Sequence, residues 1–173
     1  MSKIVKTPLE SLVNMMEMVM PNDTNPLNNL MGGRLMHHMD IAAAISAQRH
    51  SNSVVVTASV DNVSFDHAIP MGNIVSFESK VTRAFKTSME VYIKVVSENI
   101  PKGHKTFTNH AFFTFVAVNS EGRPVEVPAI KPETEEEKKF YEDALQRRQL
   151  RLIMAGRLKP TEAPELKALF VKP

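Results

Sequence analysis

The sequence predicts an α+β fold, an antiparallel sheet wrapped around one long central helix, with a further helix at the C-terminal end. Three observations lead there. From Gly33 to about Arg49 the chain supplies good helix formers on nearly every face, among them Leu35, Met36, Met39, Ile41, Ala42, Ala43, Ala44, Ile45 and Ala47. A helix apolar all round must be enclosed. One run with β character precedes it and at least four follow. Connections between those runs are short, which favours antiparallel neighbours and leaves the helix to pack on a concave sheet face.

The elements follow in order. Leu12 to Met20 is apolar-rich and ends at Pro21 and the polar loop Asn22-Asp23-Thr24-Asn25-Pro26, so it reads as a strand. After the helix, Val54 to Val60 is β-branched and apolar, and Ile74 to Phe85 alternates. Met89, Val91, Ile93 and Val95 alternate against Glu90, Tyr92 and Lys94. Lys86-Thr87-Ser88 separates these last two runs and predicts a hairpin. Phe107 to Val118 reads as a strand buried on both faces for part of its length. Beyond Gly122 and Pro124 the character changes. Thr134-Glu135-Glu136-Glu137 matches a capping box opening a charged helix that runs to about Met154, before Gly156. Its apolar stripe, Phe140, Tyr141, Ala144, Leu145 and Leu152, is narrow, which suits a surface or a subunit contact.

At 173 residues, 43% hydrophobic and 23% charged, the chain suits one globular domain, residues 1–130, with the charged helix and tail at 131–173 as an appendage. A formal net charge of +2 and a pI near 8.9, with the charges dispersed, are too weakly basic for nucleic-acid binding. The chain has no Cys, which excludes disulfides, thiolate catalysis and Cys-based zinc sites. MSKIVKTPLE lacks a signal-peptide core, and no run approaches the ~18 apolar residues of a membrane span, so a cytoplasmic location without membrane association is expected.

One carboxylate, Asp40, lies inside the central helix on a face otherwise made of Met36, Ala43, Ala44 and Ala47. Such a group is costly to desolvate unless paired, and so is either structural, satisfied by a loop N–H, or catalytic. Gly32 and Gly33 open the same helix, where unpaired N–H groups meet the positive end of the dipole. An acid or base and an oxyanion donor would then share one element. A plain turn would use the two glycines as well, and Asn29 by itself reads as a loop or capping residue. His37 stands three residues before Asp40, as a dyad or a ligand pair would require, but no third ligand follows at a recognisable spacing, so no metal is expected. His50, His67, His104 and His110 are scattered, and surface or loop roles are expected for them.

Met20-Pro21-Asn22-Asp23-Thr24-Asn25, Met31-Gly32-Gly33-Arg34-Leu35-Met36, Met39-Asp40, Val54-Val55-Val56-Thr57-Ala58 and Thr87-Ser88-Met89-Glu90-Val91, in this order and spacing, resemble the hotdog-fold acyl-CoA thioesterases. Within them the chain is most similar to the bacterial acyl-CoA hydrolases related to the cytosolic brain-type enzyme, from about residue 8 to about residue 155. The resemblance implies paired hotdog units with active sites between subunits, three such pairs forming a hexamer. It places the catalytic carboxylate on Asp40, the loop Asn on Asn29, and the oxyanion-binding N–H groups on Gly32 and Gly33. Two positions depart from it. Met31 stands where many relatives carry His, and His67-Ala68 where relatives often have a basic residue and Pro.

The chemistry agrees with that implication. Hydrolysing a thioester takes an activated water or a nucleophile and a donor for the developing oxyanion, and Asp40 could act as general base or attack directly to form an anhydride. Asp40 lies seven residues after Gly33, roughly 10 Å along the axis, so a donor from a second chain fits more comfortably than one from the same chain. Coenzyme A phosphates would look for cations and hydroxyls, for which Arg83, Lys86, Thr87 and Ser88 are candidates, as are Arg147, Arg148 and Arg151. Met15, Met18, Met36 and Met39 could line an acyl channel or simply fill core. The expected function is hydrolysis of acyl-CoA to free acid and coenzyme A, with neither metal nor bound cofactor. The alternative is a noncatalytic acyl-CoA- or nucleotide-binding module, and a hotdog dehydratase lacks a convincing His-and-carboxylate pattern here.

Overall fold

The computed structural model describes residues 4–61 and 63–168, which divide into two compact units, the first ending at Lys131 and the second beginning at Pro132. The first unit contains β1 (Val5–Lys6), β2 (Val13–Met18), α1 (Gly32–Ser51), β3 (Val54–Val60), β4 (Ile74–Ala84), β5 (Ser88–Asn99), β6 (His104–Val118) and β7 (Ala129–Ile130). Five strands form one antiparallel sheet in the order β2-β4-β5-β6-β3, curled around α1. β1 and β7 pair in parallel as a small second sheet, which the sequence reading missed because two residues are too few to show a period.

Periodicity explains the core. Met89, Val91, Ile93 and Val95 alternate along β5 and are fully enclosed, with Val75, Phe77 and Val81 from β4 and Phe113 and Phe115 from β6. From α1 they receive the large Met39 together with Ala42, Ala43 and Ala47, three small residues that let helix and sheet approach closely. Two hydroxyls sit in this apolar contact. Ser79 Oγ donates to the Ala42 carbonyl at 2.9 Å and lies 2.8 Å from Ser46 Oγ, a paired arrangement worth about 1 kcal/mol per bond.

α1 is not enclosed on every face within one chain, which corrects the expectation above. Ile41 and Ile45 are each 37% exposed, and beside them β3 is a sheet edge that exposes Val54, Val56 and Val60. The helix ends at Asn52, left-handed at φ 51°. There Lys6 Nζ donates to the Arg49 carbonyl at 2.7 Å, a cation placed where the dipole favours it.

His50 also departs from the expected surface or loop role. It is fully buried in the last turn of α1, and its Nε2–H donates to the Pro128 carbonyl at 2.9 Å. Burial holds its pKa below the usual histidine value, the Pro128 carbonyl opposing that shift.

In the second unit, α2 (Glu135–Met154) opens with the predicted capping box, Thr134 Oγ1 accepting from Glu137 N at 3.2 Å and the Glu137 carboxylate accepting from Thr134 N at 3.2 Å. Gly156, at φ 67°, takes the left-handed position after its end. A short α3 (Pro164–Lys167) is tied to α2 where Leu166 N donates to Gln149 Oε1 at 2.9 Å. Residues 169–173 of the expected appendage lie outside the described residues.

Candidate functional site

Asp40 sits at the margin between the buried side of α1 and its uncovered stripe, half-buried, with Ala43 and Ala47 behind it and Ile41 and Ile45 beside it. Its Oδ1 accepts a hydrogen bond from Thr57 Oγ1 at 2.8 Å. No loop N–H satisfies it among the described residues, so the structural reading of this carboxylate loses its main support. Thr57 reaches it from β3 at an irregularity. Between Thr57 and Ser59 the register against β6 shifts, so Ala58 is an extra residue on the edge strand. Bulges of this kind re-aim side chains beside active sites.

The helix N-terminus is open. Met31 is the N-cap and cannot cap with its side chain, and the first intrahelical bond runs from Leu35 N to Met31 O at 3.0 Å. The N–H groups of Gly32, Gly33 and Arg34 therefore precede the helical ladder, and anions favour such ends. The two glycines differ. A Cβ on Gly32 would meet the Phe65 ring at 3.4 Å, whereas a Cβ on Gly33 would meet nothing within 4 Å. A side chain at the first position would thus stand in ordinary contact with the ring, and one at the second would stand in open space.

The loop before α1 is ordered by Asn25 rather than Asn29. Asn25 Oδ1 accepts from Leu27 N at 3.0 Å and Asn29 N at 3.2 Å, and its own N–H donates to the Asn29 carbonyl at 2.8 Å. With the carbonyl oxygen so engaged, the Asn25 amide nitrogen is the end left to donate elsewhere. Asn29 is held by its backbone, bridging Pro70. The sequence reading names Asn29 and singles out neither Asn25 nor Thr57 as a site residue. Asn-Pro at the head of a turn was the available signal for Asn25, since an Asn side chain closes such turns on its own backbone. Thr57 gave no local signal.

Arg83, Lys86, Thr87 and Ser88 form the β4–β5 hairpin as expected, with Phe85 N donating to the Ser88 carbonyl at 2.8 Å and the Arg83 guanidinium 5.7 Å from the Phe85 ring centre. Register runs from Thr57 to Phe115 to Met89, so the hairpin lies two strand spacings, roughly 10 Å, across the sheet from Thr57. It stands toward the C-terminal end of α1, away from Gly32 and Gly33, and one protomer does not bring the two together. Of the methionines considered for an acyl channel, Met39 is fully buried core. No group of three or more His, Cys, Asp or Glu among the described residues is arranged to hold a metal ion.

Comparison with known proteins agrees with this geometry. Residues 27–104 match the family model of the thioesterase superfamily. A Bacillus subtilis protein named as an uncharacterized acyl-CoA thioester hydrolase, YkhA, is 44% identical over 146 residues, 84% of this chain and 80% of that one. The cytosolic acyl coenzyme A thioester hydrolase of Rattus norvegicus is 37% identical over 134 residues, which are 75% of this chain and 35% of that longer protein. Among solved structures, an apo-hexameric acyl-CoA thioesterase superposes with a TM-score of 0.85 at 40% identity, over 88% of this chain and 97% of the other. An acyl-CoA hydrolase from Staphylococcus aureus, solved with butyryl coenzyme A and coenzyme A, gives a TM-score of 0.80 at 35% identity over 88% of this chain and 95% of that one. Alanine variants of that enzyme have been solved at an aspartate, at an asparagine 15 residues before it and at a threonine 17 residues after it.

Proposed function

The chain belongs to the thioesterase superfamily, a hotdog-fold family, and from that premise we propose that it hydrolyses acyl-CoA thioesters to free carboxylic acid and coenzyme A at a site completed by a second copy of itself. The observation that carries this reading is the Asp40–Thr57 pair, an oriented and accessible carboxylate on an uncovered apolar face. The hydroxyl of Thr57 occupies one oxygen of Asp40, and the other receives a proton from water or attacks the carbonyl carbon. Gly33, with open space before it and an N–H outside the helical ladder, holds the developing oxyanion, assisted by the Asn25 amide. Asn25, Asp40 and Thr57 repeat, residue for residue, the types and the spacings of the three positions replaced in the Staphylococcus aureus enzyme, which supports this choice over Asn29.

Assembly belongs to the same proposal. β3 is an unpaired edge beside the partly exposed Ile41 and Ile45 of α1, it exposes valines of its own, and a two-fold axis pairing two such edges would set two α1 helices antiparallel. The glycines of one copy would then approach Asp40 and the Arg83–Ser88 hairpin of the other. The hexameric neighbours support three such pairs, a trimer of dimers. Neither metal nor bound cofactor is needed, coenzyme A entering as part of the substrate, and a cytoplasmic site of action goes with this reading.

The test is a panel of acyl-CoAs from short to long, run with a thiol-trapping reagent on wild type and Asp40→Asn. Wild type is expected to turn over at least part of the panel, and Asp40→Asn to lose about 10²–10⁴-fold in kcat while still binding coenzyme A. Binding without turnover in the wild type would instead establish a noncatalytic module.

A further inference from the structure

The segment between β3 and β4 crosses the N-terminus of α1, and its ends are pinned. Asp61 N donates to the Phe112 carbonyl at 2.9 Å, Leu30 N to the Ile69 carbonyl at 2.8 Å, and Met71 N to the Asn28 carbonyl at 2.9 Å, with the Ile69 side chain buried. Between these anchors the Phe65 ring lies over Gly32, three of its atoms 3.4 to 3.7 Å from where a Cβ would stand. The ring is nevertheless 53% exposed, and Leu27, Met31 and Met71 around the same helix end are exposed too. An aromatic ring laid against the first helical residue, and itself half exposed, is a wall that lacks an occupant.

The charges say which part of a thioester that occupant is. From Asp61 to Met71 the chain has no Lys or Arg and carries two carboxylates, Asp61 and Asp66. Arg34, the cation of the first helical turn, is paired with Asp23 at 3.1 Å. The segment itself therefore offers a phosphate no lysine or arginine, whereas methylene groups gain contact with the Phe65 ring.

We propose that Phe65 is a specificity-determining residue of the hydrolysis, the apolar wall against which the methylenes beside the thioester carbonyl lie when its oxygen is held at the N-terminus of α1. This rests on the thioesterase reading above. The methylenes come either from the acyl chain or from the thiol arm of coenzyme A, and both offer the same chemistry to the ring.

The experiment compares wild type, Phe65→Ala and Phe65→Leu as full chains. It measures kcat/KM on acetyl-, hexanoyl- and dodecanoyl-CoA, the dissociation constant of free coenzyme A, and the melting temperature. If the ring meets the acyl chain, Phe65→Ala lowers the hexanoyl-to-acetyl ratio of kcat/KM by roughly tenfold or more and leaves the coenzyme A constant in place, while Phe65→Leu retains most of the ratio. If it meets the thiol arm, the coenzyme A constant rises by a similar factor and the ratio holds. A lowered melting temperature with both readouts within about twofold of wild type would mean that Phe65 only packs on Gly32, and would overturn the proposal. A wild type inactive on every acyl-CoA would overturn the thioesterase reading itself, a failure distinct from an active wild type whose Phe65 variants do not differ from it.

Discussion

Thr57 donates to one oxygen of Asp40, and that bond both orients the carboxylate and leaves its second oxygen open. Thr57→Val keeps the β-branched shape and removes the donor, so kcat is expected to fall about tenfold or more, with KM moving little. Steady-state kinetics on one acyl-CoA checks this, and an unchanged kcat would detach Thr57 from the chemistry. Asp40 was legible in the sequence because a lone carboxylate in a helix of alanines and methionines contradicts its surroundings. Thr57 was not, because its contact spans 17 residues and depends on an irregular register that no periodicity reveals. The family resemblance points to Asn29, while the loop's side-chain hydrogen bonds converge on Asn25. His50 makes a separate point about pH. Its pKa is depressed by burial, so the unfolded chain, titrating at the ordinary histidine value of about 6.5, binds the proton more readily than the folded one. The stability that depends on a neutral His50 is complete above that value and is lost as pH falls below it, at up to about 1.4 kcal/mol per pH unit until the folded group titrates. Melting temperatures across pH 5 to 7 should therefore fall more steeply in wild type than in His50→Gln, and parallel curves would remove this role.

At the scale of elements, the start of α1 holds two glycines in different surroundings. Gly33→Ala meets no atom within 4 Å and has no unusual φ, so the helix should tolerate it and gain up to about 1 kcal/mol. Activity should fall nonetheless, because the added methyl fills the approach to the N–H. A raised melting temperature together with a kcat/KM at least tenfold lower is the expected result, and a stable variant with full activity would place the oxyanion elsewhere. Elements with strong periodicity were read closely, β3 running from Val54 to Val60 as expected and α2 opening at its capping box. β6 begins at His104, earlier than expected, because polar residues there continue the ladder through their backbones, Lys105 pairing with Glu98 and Thr106 with Ser97. Side-chain pattern carries no information about that extension.

At the scale of the whole molecule, the incomplete burial of α1 is the most informative departure from the sequence reading. Periodicity specifies that a face is apolar but not whether the covering atoms come from the same chain. Ile41 and Ile45 are partly exposed beside the β3 edge, where Val56 is half exposed too, and the proposed assembly seats a second copy along that edge. Val56→Lys charges that edge, and size-exclusion chromatography should show the assembly dissociating with loss of activity in step. A monomer with full turnover would show that each chain is complete by itself. The sharing of the site can be measured directly by mixing two inactive variants, Asp40→Asn and Asn25→Ala, under conditions that let subunits exchange. If Asp40 of one copy works opposite Asn25 and Gly33 of another, a mixed pair holds one intact site and one doubly defective one. Equal mixing should then restore about a quarter of wild-type turnover, as expected for random pairing about a two-fold axis. Turnover that stays at the level of the separate variants, with exchange demonstrated, would mean that each protomer carries its own complete site and would contradict the account.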